Sequence, residues 1–506
     1  MKKTLSNHQL GFRELVINKL RKHGEVIFSY NKAKKISIAA LRLFFLTQLK
    51  GKRTSHRCRV LFANSLNWIL WLGCNILFLF QLSCSTERDD LARPKIASSA
   101  AITAINQDVI STGTDTLAIV HCQIIIGDGQ SVIPDGVVII ANEMIQTVGA
   151  YETVALPDGI PIFEAKGMTL VPGLIDAHFH LDNMDSLPNL FLQRGITALR
   201  DPGAWIEAYD QERASGLDLP RLFLTGPHID GYPPAYPDNS FVVRDPLEAS
   251  AAVKSFAEQG ASAIKVYFRS SLAIIEAVCE AADEEGIPVT AHLEVTDIYD
   301  AVNAGLTGIE HITSLAPNLV PAMDAEAYKQ AILKDNNARR TGRYNLWQKI
   351  DPLGLEATQL AQFLAEQKTF ICPTLGAFEY QVKDGKVDSL RQQAFQNMTA
   401  YTKALHELGV AVVIGSHSWV PYADYGWAYH NEMELFEKLG MERLAIIQSA
   451  TSQNASFLGI ADRIGTIASG KIADLVLIAG NPLNGISEMR KINKVMLAGK
   501  WITTDN

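Results

Sequence analysis

The spacing of apolar positions predicts an accessory sheet built from two remote segments. From Leu117 the stretch LAIVHCQIIIGDGQSVIPDGVVIIANEMIQTVGA alternates apolar strands with Gly and Asp turns, which is typical of a small antiparallel sheet. Near the other end, IGTIASGKIADLVLIAGNPL and KVMLAGKWI show the same alternation. Because each segment alone has too few strands to be stable in water, we expect both to form one β-sandwich from residues 116–170 and 461–506.

Between these segments, short apolar strands alternate with helical periodicity. ASAIKVYF, for example, is followed by LAIIEAVCEAADEEG, and PVTAHLE, TGIEHI, TFICPTL and AVVIGS are further strands. Such units indicate parallel βαβ connections, and about eight of them make a barrel. We therefore predict an α/β fold with a (β/α)8 TIM-like barrel over residues 171–460. In this fold the chemistry lies at the C-terminal ends of the strands.

Residues 1–84 have a different pattern. The first 60 residues contain fifteen Lys or Arg against two Glu, a local net charge of +13. They precede the uncharged run VLFANSLNWILWLGCNILFLFQLSC, which is typical of a signal peptide and is also long enough for a permanent transmembrane helix. Its end, LSCS, resembles a lipobox with Cys84 as the lipidated residue, although Gln81 stands where an aliphatic residue is usual.

We therefore predict an exported protein that is either a membrane-anchored lipoprotein or periplasmic. Cleavage without lipidation and retention of the apolar run as an anchor are the alternatives. Residues 85–115 are polar and rich in Ser, Thr and Ala, which suits a tether between the membrane and the folded body.

Composition places the remainder among globular proteins, with 47% apolar and 20% charged residues. The residues after position 60 carry a net charge of −21, which with the +13 of the first 60 gives −8 for the whole chain. Such an acidic body argues against nucleic acid or an anionic membrane surface as partner and favours a small-molecule substrate. The pattern leaves the oligomeric state open. Cys122, Cys279 and Cys372 are isolated singles, and we expect them to pack in the core.

Polar residues at predicted strand ends form a candidate metal site. His178 and His180 in LVPGLIDAHFHLDN are two apart on a strand and so point to the same side. Lys265 lies inside an apolar strand, where an unpaired ammonium would be costly. His292 and His311 each follow a further strand. A buried lysine can react with CO2 to give a carbamate, which is an anionic metal ligand.

In this context the chain resembles the amidohydrolase superfamily, in its imidazolonepropionase-like and Xaa-Pro dipeptidase-like branch. The resemblance covers about residues 117–503. It rests on the motifs PGLIDAHFH, GITALRDPGA, GASAIKVY, GIPVTAHLE, AGLTGIEHI and GTIASGKIADLVLIAGNPL, which occur in the family's order. It implies hydrolysis of a carbon–nitrogen bond by a metal-activated hydroxide.

The resemblance also implies roles for the individual residues. His178 and His180 would bind the more buried ion, and Lys265, as a carbamate, would bridge to a second ion held by His292 and His311. The expected metal is zinc, with one or two ions. His292 is also a candidate catalytic residue.

One position departs from the family pattern. The eighth strand of the family ends in an Asp that ligates the first ion and takes a proton, whereas AVVIGSHSW places His417 there. The change raises the net charge of the centre by one unit, which should weaken occupancy by two ions. Imidazole can still ligate a metal or accept a proton, so His417 is a candidate metal ligand and catalytic base. Asp424 is a further carboxylate close by in the sequence.

Candidate substrate contacts are Tyr267, Tyr232 and His430. Tyr267 is two residues after Lys265 and should face the same mouth. Tyr232, with Tyr236 and Phe241, belongs to a Pro-rich loop that either lines an aromatic pocket or is an ordinary capped loop. His430 matches a family His at a helix start, with a helix-entry contact as the alternative.

Two functions follow from these features. The first is a metal-dependent hydrolase acting on amide, cyclic amide or dipeptide-like bonds of small substrates. The second is a catalytically impaired, ligand-binding surface lipoprotein with a degenerate site. The other five site residues favour the first function, and His417 favours the second.

Overall fold

The computed structural model describes residues 102–182, 186–382 and 385–503. The predicted signal segment 1–84, the candidate lipidation site Cys84 and the first part of the predicted tether lie outside the described residues. Within the described ranges, every helix is too short or too polar to cross a bilayer.

The described residues contain seventeen strands and twelve α-helices. The strands are β1 Thr116–Ile125, β2 Val132–Ala141, β3 Met144–Ala150, β4 Ile162–Glu164, β5 Thr169–Pro172, β6 Leu174–Asp176, β7 Ile196–Asp201, β8 Arg221–Leu224, β9 His228–Asp230, β10 Ser240–Val242, β11 Ile264–Val266, β12 Val289–Ala291, β13 Gly308–Glu310, β14 Phe370–Cys372, β15 Leu475–Ile478, β16 Ile492–Leu497 and β17 Lys500–Trp501. The helices are α1 Leu187–Gln193, α2 Asp210–Arg213, α3 Pro246–Glu258, α4 Leu272–Glu285, α5 Ile298–Asn303, α6 Ala322–Lys334, α7 Arg339–Trp347, α8 Leu355–Glu366, α9 Ser389–Glu407, α10 Ala428–Lys438, α11 Arg443–Ala450 and α12 Ser452–Phe457.

The accessory unit is one eight-stranded sheet built from both ends of the described chain. Its strands lie in the order β17-β16-β15-β5-β1-β2-β3, and β4 pairs with β1. The two halves meet at β5 and β15, which are antiparallel with Leu170 opposite Leu477. Successive residues of β1 pack into apolar clusters on opposite faces, Ile119 on one and Val120 on the other. The expected union of the terminal segments is confirmed.

Eight parallel strands form the barrel that carries the site. β6, β7 and β8 pair in order, β11, β12, β13 and β14 form a second parallel run, and residues 412–415 are the eighth barrel segment; β9 is an additional strand that pairs with β11. The Ser262 N–H donates to the Leu224 carbonyl at 2.8 Å and joins the two runs. Residues 412–415 run parallel to β14, and the Ala177 N–H donates to the Ile414 carbonyl at 3.0 Å. These bonds close the predicted (β/α)8 barrel.

Local sequence explains the barrel's regular parts. Strands such as β6, β12 and β13 are buried at every residue, as expected when both faces of a parallel sheet are covered. The carboxylate of Asp245 caps α3 by accepting from the Leu247 and Glu248 N–H groups. α4 ends at Gly286, whose φ of 69° is left-handed. Short strands and capped helices therefore alternate as the periodicity predicted.

The structure corrects the tether assignment for the part of residues 85–115 that it describes. The Asn106 side chain is fully buried and donates to the Pro220 carbonyl at 2.9 Å. It also accepts from the Leu222 N–H at 2.9 Å. A polar side chain thus satisfies backbone groups beside β8. The polar composition of this part of the segment therefore reflects its packing beside β8 and not a free linker. The three described cysteines are free and buried, as expected.

Candidate metal centre

Five histidines and one lysine meet at the C-terminal ends of the barrel strands. His178 and His180 follow β6, Lys265 lies in β11, His292 follows β12, His311 follows β13, and His417 follows residues 412–415. Neighbouring imidazole centroids are 4.6 to 5.5 Å apart. The structure therefore places every residue that the sequence suggested as a metal ligand in one region.

His178, His180 and His417 form a convergent group. One ring nitrogen from each lies within 4.8 Å of the others, and the Nε2 atoms of His178 and His180 are 3.1 Å apart. Burial is the main cause that lowers the pKa of His178 well below its ordinary value and the pKa of His417 to about 3. Both rings are therefore neutral, which is the form that binds metal ions.

Glu310 sets the tautomer of His178. Its Oε2 atom is 2.6 Å from His178 Nδ1, and its other oxygen accepts from the Arg200 guanidinium. Burial opposes ionisation of Glu310, but the charges of Arg200 and Lys265 outweigh it and hold the pKa of the carboxyl well below its usual range. An ionised carboxylate only accepts, so Nδ1 donates and Nε2 keeps its lone pair for an ion.

Lys265 is enclosed in the barrel, with 1% of its surface exposed. Its Nζ atom makes no hydrogen bond to the described residues, and Glu310 Oε1 lies 3.7 Å away. Burial lowers the pKa of the amine to about 7. The neutral amine, which is the form that can add CO2, is therefore accessible near neutral pH.

His311 is held in the tautomer that a metal ligand needs. The Thr374 hydroxyl donates to the Pro373 carbonyl at 2.8 Å and lies 2.7 Å from His311 Nδ1. Since its one proton is already used, the hydroxyl accepts from Nδ1, and His311 Nε2 keeps its lone pair. The Leu375 and Gly376 N–H groups of the same loop both donate to oxygens of the Glu432 carboxyl group at 2.7 Å.

His292 does not fit a metal ion in the same way. Its Nε2 atom is 3.0 Å from Arg339, whose guanidinium can only donate and is itself paired with the buried Glu294 carboxylate. Nε2 therefore accepts, and the ring proton lies on Nδ1, which is buried and has no partner among the described residues. A ligand at Nδ1 needs the opposite tautomer. The geometry suits an ion at the three-histidine group and not a second ion at His292.

Backbone geometry brings the eighth strand close to the first. A Cβ at Gly415 would lie 2.5 Å from the Cβ of His178, so only glycine permits this approach. Two of the candidate ligands have an unusual backbone conformation, since His417 and His311 have positive φ angles of 56° and 63°. Hydrogen bonds hold both, from the His417 N–H to the His178 carbonyl and from the His311 N–H to the Cys372 carbonyl, each at 2.7 Å. Such strained residues cluster at functional sites.

Sequence reasoning missed the carboxylates and arginines that brace the ligands. Asp176 accepts from the His178 and Ser416 N–H groups at 3.0 and 2.9 Å, and Asp201 Oδ1 lies 3.6 Å from His180 Nδ1. Charged residues inside apolar strands, as in LID, ITALRD and GIE, were the available signal. Arg339 and Glu432 lie on helices and carried no such signal.

The substrate candidates are placed differently from one another. Tyr267 is 5% exposed, with its ring 4.9 Å from that of His292. His228, which sequence reasoning missed, stacks on Tyr267 with centroids 4.6 Å apart. Tyr236 is half exposed, 5.8 Å from Tyr267. Tyr267, His228 and Tyr236 therefore form an aromatic wall beside the centre.

The remaining candidates lie elsewhere. Tyr232 is 83% exposed, and Asp424 is exposed outside the convergent histidine group. Phe241 packs against Phe256 with ring centroids 5.5 Å apart. His430 is buried against Trp427 at 4.8 Å, and its ring nitrogens have no partner among the described residues. The ring contacts of His430 thus involve the helix start and not the five clustered histidines.

The sequence matches the model of the amidohydrolase family over residues 169–502. The chain belongs to the amidohydrolase family. No curated protein matches the sequence. Membership in this family supports a hydrolase that acts on carbon–nitrogen bonds, and the convergent histidine group provides this amidohydrolase with candidate metal ligands.

Solved structures agree with the fold of this amidohydrolase. A Xaa-Pro dipeptidase with bound methionine in the active site has a TM-score of 0.59 and 22% identity, covering 76% of this chain and 99% of its own. Phenylurea hydrolase B has a TM-score of 0.60 and 18% identity, covering 77% and 97%. Ochratoxinase from A. niger has a TM-score of 0.57 and 17% identity, covering 77% and 96%. At these identities the likeness shows the fold.

Proposed function

We propose that this amidohydrolase is a metal-dependent hydrolase of amide, cyclic amide or dipeptide-like bonds in small molecules, with one divalent ion held by His178, His180 and His417. The observation that carries the proposal is the convergence of one ring nitrogen from each of these three imidazoles within 4.8 Å. Three nitrogen ligands leave a coordination position open for water or substrate, as in catalytic zinc sites, so zinc is the expected metal. A divalent ion bound there lowers the pKa of water and polarises a carbonyl.

The surrounding residues would orient the substrate and move protons. The Nδ1–H of His292 has no partner among the described residues and is available to donate to a substrate oxygen or leaving group. Tyr267 would cover the substrate, with its hydroxyl 3.4 Å from Arg339. His417, at the end of the eighth strand, is the proposed third ligand, and only if it does not bind the ion is its free ring nitrogen the candidate base. Lys265 is the proposed carbamate ligand, because its buried amine has no hydrogen-bond partner among the described residues.

Other features support the same proposal. The similar structures are named as a dipeptidase, an ochratoxinase and a phenylurea hydrolase, which favours turnover over ligand binding alone. We also propose that the protein is exported and acts at the membrane or in the periplasm. That proposal rests on the basic and apolar N-terminal pattern in the sequence.

The test is metal analysis of the purified protein combined with a hydrolysis panel of dipeptides, lactones and cyclic amides. We expect bound zinc, hydrolysis of a panel member, and loss of both after chelation. His180→Asn should abolish metal binding, whereas His430→Asn, a buried histidine outside the cluster, should leave it intact. A metal-free protein that stays inactive when zinc is added back would contradict the proposal.

A further inference from the structure

Two arginines lie against one tryptophan at the start of α10, outside the five clustered histidines. The guanidinium carbon of Arg194 is 3.9 Å from the ring centroid of Trp427, and that of Arg490 is 5.0 Å from it. Arg490 pairs with Glu434 at 2.5 Å, whereas the Arg194 guanidinium has no hydrogen bond or ion pair with a described residue. Burial, and then the charge of Arg490, lower the pKa of Arg194. Two cations thus share one carboxylate.

A buried histidine without partners belongs to the same group. His430, in the first turn of α10, is 1% exposed, and its ring is edge-on to Trp427 with centroids 4.8 Å apart. Neither of its ring nitrogens has a partner among the described residues. Burial, and then the charges of Arg490 and Arg194, lower the pKa of His430 to about 3, so the neutral ring holds one N–H donor. Because buried donors are normally hydrogen-bonded, this one indicates a ligand that the described chain does not supply.

The first turn of α10 adds backbone donors. The N-cap residue Trp427 makes no side-chain capping bond, and the N–H groups of Ala428, Tyr429 and His430 have no acceptor among the described residues. The first N–H groups of a helix and the positive end of its dipole favour a bound anion. Helical side chains lean toward the N-terminus, which directs the His430 ring to the same end.

We propose that Arg194, Arg490, His430 and the first turn of α10 bind a small tetrahedral oxyanion such as phosphate, at a site separate from the metal centre. This inference does not depend on the proposed hydrolase function. The donors come from three separate parts of the chain, which suits a tetrahedral oxyanion better than a planar carboxylate. The anion would offset the excess positive charge and accept from His430. Because it would join these parts, its binding should also stabilise the fold.

The experiment is titration calorimetry of inorganic phosphate into the full-length protein, with acetate at equal ionic strength as the comparison. We expect saturable phosphate binding, and acetate binding at least about 10-fold weaker. Arg194→Gln should weaken phosphate binding on the order of 10- to 100-fold, the range of one charge-assisted hydrogen bond. Arg194→Lys should keep part of the affinity. Phosphate should raise the Tm of the wild type more than that of Arg194→Gln.

Two further variants serve as controls. Lys438→Gln removes an exposed cation from the last turn of the same helix and should keep the wild-type phosphate affinity. His180→Asn removes a proposed zinc ligand and should also keep it, because the anion does not lie on the metal. The proposal is overturned by a wild type without saturable phosphate binding, by equal affinities in the wild type and Arg194→Gln, or by acetate binding as tight as phosphate binding. Loss of phosphate binding in His180→Asn would place the anion at the metal centre and overturn it as well.

Discussion

Replacing Glu310 with Gln tests whether one buried carboxylate prepares His178 for a metal ion. The exchange keeps the size of the side chain and removes its charge. The amide has one acceptor oxygen, and if that oxygen faces Arg200 its NH2 group faces His178 Nδ1. Nδ1 must then accept, which moves the ring proton to Nε2 and removes the lone pair that an ion needs.

Two separate losses are expected from this change. Removing an outer partner of a metal-binding histidine lowers metal affinity by about 10- to 100-fold. The Arg200 guanidinium, only 1% exposed, also loses its counter-charge. Breaking a buried ion pair on one side costs about 3 to 5 kcal/mol of the unfolding free energy.

Metal affinity is measured on the apo protein by competition with a chromogenic chelator, and stability by denaturant titration. Asp474→Asn is the matched control, because Asp474 pairs with buried Arg221 at 2.7 and 3.1 Å in the accessory-sheet region. It should lose comparable stability and keep wild-type metal affinity. The tautomer argument is wrong if Glu310→Gln binds zinc as tightly as the wild type, or if both variants lose affinity equally.

Three further outcomes are expected. Lys265→Ala should lower metal content and activity together, and added bicarbonate should have no effect on the variant. An unchanged metal stoichiometry in this variant would exclude the carbamate. His417→Asp should bind zinc and hydrolyse no better than the wild type if His417 is the adopted third ligand, whereas gained metal occupancy and hydrolysis, on a scale bounded by the roughly 10²- to 10⁴-fold typical of a general base, would show an attenuated family site and contradict that role. Burial raises the pKa of Glu432 from 4.5 to about 8. Between these values the native state holds a proton that unfolding releases. The unfolding free energy should therefore fall as pH rises through this range, and more steeply in the wild type than in Glu432→Gln.

The sequence predicted the barrel and the principal candidate ligands for physical reasons. Fully buried parallel strands are nearly all apolar, so a histidine or lysine at the end of such a strand stands out against its neighbours. The fold then brings all strand ends to one mouth. This is why His178, Lys265 and His311 could be selected without any distance information.

What the sequence could not show were pairings between remote residues. Arg200 and Glu310 are 110 positions apart, and Arg339 reaches His292 from a helix that follows a different strand. These contacts decide tautomers, which depend on donor geometry and not on residue type alone. The docking of residues 102–115 was missed for a similar reason, because Asn106 is polar yet fully buried.

His417 and Arg339 alter the same property of the centre. In the family pattern an aspartate at the end of the eighth strand supplies negative charge, and the neutral His417 supplies none. Arg339, whose charge is balanced by Glu294, lies 3.0 Å from His292 Nε2 and leaves the ring proton on Nδ1, the nitrogen that a second ion would need. A second divalent ion would therefore lack both a free nitrogen at His292 and the aspartate charge at the eighth strand. A single ion among His178, His180 and His417 would need neither of these and would have the Glu310 carboxylate beside His178 as anionic support, so the two departures are consistent with one altered centre.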